Sequence, residues 1–113
     1  MTLRIAAFVL LIAAACTSAT IGGRETLEQA DRAQLVQLQA TLQEAARAEE
    51  AYFAEFGAYT TDVAALNINV PPVIALTITQ PAPDDYCIQG AHRSLDAAWH
   101  VSKTSPQPVE GEC

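Results

Sequence analysis

The chain has 113 residues, half of them hydrophobic, with 6 basic and 13 acidic side chains and a formal net charge of −7 at pH 7. That length holds one small domain, with a core no larger than one helix on one sheet. The negative balance, with no basic stripe anywhere along the chain, excludes nucleic acid as a partner.

The N-terminus reads as an export segment. Arg4 is a lone positive residue, and residues 5–15 are an unbroken apolar run. A bilayer span takes roughly 20 residues, so the run is too short to cross a membrane, but it suits the apolar stretch of a signal peptide. It ends in Ala13-Ala14-Ala15-Cys16. Small residues before a cysteine suit a lipoprotein signal peptidase, with the Cys16 thiol as diacylglycerol acceptor. Two or more acyl chains on one residue then give stable anchoring. Two other readings stay open. Ala13 and Ala15 also satisfy an ordinary A-x-A cleavage site that releases a soluble protein, and the segment can run on through Thr17 to Ile21 as an uncleaved anchor. All three place the remainder outside the cytoplasm. The expected organisation is a signal peptide at 1–15, a lipid-anchored tether at 16–24 and a domain at 25–113, with membrane contact made through the anchor.

The cysteines fit an exported chain. There are three, an odd number. With lipid on Cys16, Cys87 and Cys113 remain as a pair, and outside the cytoplasm such a pair oxidises. Their loop would stabilise the fold by roughly 3 kcal/mol in the chain-entropy view. The alternative leaves two unpaired thiols, one of them at the chain end.

Residues 17–23 are small and polar with two glycines, as a tether is. Thr26 and Gln29 have the spacing of a capping box. From there to Phe56 the sequence has neither proline nor glycine and is rich in Ala, Gln, Glu and Leu. Leu35, Leu38, Leu42, Ala45, Tyr52 and Phe56 recur at helical spacing, with Val36, Ala46 and Phe53 beside them. Glu49 interrupts that seam, and Gly57 stands where a C-terminal glycine stop is expected. The predicted helix is 26–57, roughly 45 Å long, and its polar first part, to about Gln34, is expected to stand clear of the core as a stalk.

Residues 61–66 read as a capped helical turn. Pro71 and Pro72 start an extended segment. Residues 73–79 form a strand by β-branched content, 86–92 a second, and 98–103 a third centred on Trp99 and Val101. Short connections favour an antiparallel meander. The expected class is α+β: a long N-terminal helix packed on a three- to four-stranded antiparallel meander, the sheet covering about 73–103. The tail 104–112, with few apolar groups, cannot hold itself by burial.

The order of these pieces resembles the globular domain of type IV pilins and the related pseudopilins of type II secretion. The residues that carry it are the long helix ending in 51–59 with its Gly57-Ala58-Tyr59, the turn 62–66, the strand 73–78, Asp85-Tyr86-Cys87-Ile88, Ala98-Trp99-His100-Val101, and the end Val109-Glu110-Gly111-Glu112-Cys113. It covers about residues 34–113. It implies a long helix on an antiparallel meander, often with a C-terminal disulfide loop that is surface-exposed and carries partner contacts. The chain departs from that family at the other end. Pilin precursors carry a Gly-Phe junction followed by an apolar helix. Here Gly22-Gly23 precedes Arg24 and Glu25. The combination reads as a pilin-like domain re-anchored by lipid.

Candidate sites are few. His92 and His100, the only histidines, can approach each other if the second and third strands pair. Without a Cys/His spacing motif they read as surface polar residues rather than metal ligands. Asp84 and Asp85 fall short of the six or more oxygens calcium requires. Ser94, Ser102 and Ser105 lack any nucleophile context. Tyr52, Phe53, Phe56, Tyr59 and Trp99 read as core rather than as an adhesive patch. No enzyme activity and no cofactor are expected. The functional expectation is a cell-envelope interaction lipoprotein whose partner is a pilus or secretion component. The alternative is an extracytoplasmic lipoprotein that binds a small ligand or metal.

Overall fold

A computed structural model describes residues 29–113 in side-chain detail. The elements are α1 (Thr2–Phe56), a 3-10 turn (Val63–Leu66), β1 (Ile74–Thr79), β2 (Cys87–His92), β3 (Trp99–Ser102) and β4 (Val109–Glu110). The chain divides into two compact units, Met1–Arg32 and Ala33–Cys113, and the second contains the whole sheet. The expected signal peptide at 1–15, the tether at 16–24, the lipidation site Cys16 and the Thr26 cap lie outside the described residues. Among the described residues no helix is long and apolar enough to cross a membrane.

The class is α+β, one long helix packed on a four-stranded antiparallel sheet. Strand order follows chain order, β1-β2-β3-β4, a simple meander. Ile74 faces His92 across β1 and β2, and Ile78 faces Ile88. Ile88 in turn faces Val101 across β2 and β3. Side chains alternate across a strand, so Ile74, Ile78, Ile88, His92 and Val101 share the face that meets α1. From α1 come Leu38, Leu42, Ala45 and Ala46. A fully buried aliphatic side chain stabilises by about 1.5–3 kcal/mol relative to an exposed one, so this layer is the main driving force of the domain.

Gly90 sets how closely the helix approaches. A Cβ built there would lie 2.8 Å from Leu38 Cδ1 and 3.0 Å from Leu42 Cδ2, so the missing side chain is the space those leucines occupy. The helix stops where the sequence says it should. Gly57 adopts φ 74°, and its N–H donates to the Phe53 carbonyl at 2.7 Å, the geometry of a left-handed helix stop. The 3-10 turn is capped by Asp62, whose Oδ1 accepts from the Ala64 N–H at 3.0 Å.

Three expectations are corrected. First, the aromatic cluster is not wholly core. Tyr59 is buried, but Phe53 is 37% and Phe56 is 61% exposed, because they lie in the last turn of α1, at the end of the stripe that the core covers. Second, the sheet does not stop near residue 103. Val109 and Glu110 form β4, pairing with His100 and Trp99. Third, His92 is not a surface residue and is only 5% exposed.

Candidate functional site

The C-terminal third is held down by a chain of polar and covalent ties. Cys87 and Cys113 form a disulfide with Cα atoms 6.0 Å apart. The Gly111 N–H donates to the Ala98 carbonyl at 2.8 Å. His100 Nδ1 lies 2.9 Å from the Gly111 carbonyl, and since a carbonyl only accepts, His100 carries its proton on Nδ1. The Cys113 N–H reaches Gln89 Oε1 at 3.1 Å. These ties replace the burial that the tail lacks.

Where this loop folds back towards α1 it leaves a groove of about 320 Å³. Gln43, Arg47 and Glu50 form the helix side, Tyr86 lies between, and Lys103 and Gln107 come from the disulfide-closed loop. Gln43 Nε2 donates to Gln107 Oε1 at 3.1 Å, joining the two walls. Lys103 is held in place twice. Its Nζ donates to the Asp84 carbonyl at 2.9 Å and stands 5.8 Å from the centre of the Tyr59 ring, within reach of a cation–π attraction.

Behind the groove is an acidic and phenolic cluster. The Tyr59 hydroxyl donates to both Glu50 oxygens, at 3.2 and 3.3 Å. The rings of Tyr59 and Tyr86 meet edge-on at 4.9 Å. Burial, reinforced by the negative charges of Glu50 and its neighbours, pushes the Tyr86 phenol up to about 12, so it stays a neutral donor at any physiological pH. Burial, with the hydrogen bond to Glu50, moves the Tyr59 phenol in the same direction.

Glu49 stands deeper, with none of its surface exposed. One carboxylate oxygen accepts the Thr60 N–H at 3.2 Å, and the other has no partner. Its carboxyl titrates above the ordinary 4.5, chiefly because burial penalises the charge, with Glu50 adding to the effect and the Thr60 N–H opposing it. In the sequence Glu49 stands out only as a break in the apolar seam. The signal was present: an acid at a core position of a helix.

The two histidines do not come together. His100 lies opposite Gln89, on the face turned away from α1. His92 lies on the helix side, with Nε2 3.2 Å from Gln37 Oε1 and Nδ1 accepting the Ser94 N–H at 3.0 Å. That pattern places its proton on Nε2, so His92 is a structural pin between helix and sheet. Asp85 caps the Tyr86 N–H at 2.8 Å. Among the described residues no three His, Cys, Asp or Glu side chains are grouped to hold a metal ion. The Ser102 hydroxyl meets Thr104 and the Ser105 N–H, as turn residues do.

No protein-family model matches this sequence, and no curated protein is significantly similar to it.

Proposed function

We propose that this chain is a non-enzymatic interaction module of the cell envelope: a pilin-like domain carried outside the cytoplasm on a lipid at Cys16. Its disulfide-closed C-terminal loop is the surface that meets a protein partner, a component of a pilus or secretion assembly. The observation that carries this reading is the combination of a long helix on an antiparallel meander with a Cys87–Cys113 bridge tying the last strand. A structural disulfide persists in oxidising compartments, which agrees with export. The loop presents an ordered surface of Lys103, Pro106, Gln107 and Val109, held by bonds that serve no core. Ordered, exposed segments on a rigid scaffold are where binding function concentrates.

The anchor has a direct test. Cys16→Ala is expected to abolish lipid labelling and release the protein from washed membranes. Retention of the variant on membranes would mean an uncleaved helix and remove the lipoprotein part of the reading.

A further inference from the structure

The groove between α1 and the disulfide-closed loop has a chemistry of its own. The sequence holds six Lys and Arg against thirteen acids, yet two of those six, Arg47 and Lys103, line this one groove. Among the described residues Arg47 has no ion pair or hydrogen bond, so its guanidinium keeps all its donors. Lys103 spends one donor on Asp84 and is thereby fixed in position with two left. Tyr86 is 1% exposed. Its hydroxyl has no hydrogen-bond partner among the described residues, although the residue lines the groove. Glu50 is the one carboxylate on the lining, and it already accepts from Tyr59. The groove thus presents two cations and an unused phenol on an otherwise acidic molecule.

We infer that this groove receives a carboxylate side chain, Asp or Glu, projecting from an extended acidic segment of a partner protein. The inference rests on the interaction-module reading above and names the partner's chemistry. A carboxylate takes charge-assisted hydrogen bonds from Arg47 and Lys103 and a third from the Tyr86 hydroxyl, the set of donors such a group accepts best. A free small acid is the poorer occupant. Small-molecule sites bury most of their ligand, whereas Arg47, Glu50, Lys103, Pro106 and Gln107 are all exposed walls. A side chain delivered by a protein surface is shielded by the rest of its own chain.

The test uses the full-length protein in mild detergent and a fluorescently labelled, amidated hexapeptide bearing two glutamates, beside the same peptide with two glutamines. By anisotropy, the glutamate peptide is expected to bind at least about tenfold tighter than the glutamine peptide. Arg47→Gln and Tyr86→Phe are each expected to weaken it about tenfold, and about 0.5 M salt to weaken it further. Far-UV circular dichroism and an intact Cys87–Cys113 link show that each variant is folded. Equal binding of the two peptides, or full affinity in both variants, overturns the inference. So does free glutarate binding as well as the peptide, since the occupant would then be a small acid. A photo-crosslinker at Val109 in intact envelopes separates the two claims. A crosslinked protein without acidic-peptide binding removes the carboxylate and keeps the module, while neither signal removes both.

Discussion

Glu49 is a carboxylate in a place where the fold would be better served by a neutral group. Its burial raises the folded-state pKa above 4.5. The sign follows from proton uptake: just above pH 4.5 the folded chain holds this proton while the unfolded chain releases it. Glu49 therefore costs nothing at lower pH, and its contribution to stability falls as pH rises through the folded pKa. Glu49→Gln keeps an oxygen for the Thr60 N–H and removes the buried charge. At pH 7 the variant is expected to be more stable by about 1 kcal/mol, with the difference vanishing as pH falls to the ordinary carboxylate range. Urea unfolding of both proteins at several pH values checks this. A variant less stable than the parent at neutral pH would show that the charge holds the Thr60 connection, not merely tolerates burial.

At the scale of elements, β4 shows how a strand can form without strand sequence. Val109-Glu110 has one apolar residue, and both side chains are exposed. It pairs because His100 and Ala98 bind Gly111 and because the disulfide fixes Cys113 beside Gln89. Cys113→Ser is expected to lower stability by about 2–4 kcal/mol and to open the bonds beyond Lys103 to protease, with α1 and β1 through β3 retained. Limited proteolysis followed by mass measurement reads this, and a tail that resists cleavage in the variant would make the polar ties sufficient alone. The same contrast explains what was legible. The helix stop at Gly57, the Asp62-capped turn and β1 through β3 depend on local signals: a glycine after a periodic run, a cap, a β-branched run between Pro72 and Pro81 for β1, and short segments between turns, one centred on Trp99 and Val101, for β2 and β3. β4, the burial of His92 and the groove depend on non-local pairings: Gly111 with Ala98, His92 with Gln37, and Gln43 with Gln107. The exposure of Phe53 and Phe56 was hidden for a related reason. Helical periodicity marks an apolar face but does not say where the sheet beneath it ends.

For the molecule as a whole, the proposed function requires three things at once: a lipid on Cys16, the oxidised Cys87–Cys113 pair and a partner that meets the disulfide-closed loop. The proposed lipid on Cys16 and the Cys87–Cys113 bridge are both covalent marks that one measurement can read together. Intact and peptide mass spectrometry, without reduction, of protein recovered from the cell envelope tests the central claim most directly. The account predicts a mature chain that begins at Cys16, carries acyl groups there, and contains a linked Cys87–Cys113 peptide. A chain that still begins at Met1, with all three thiols free, would contradict it.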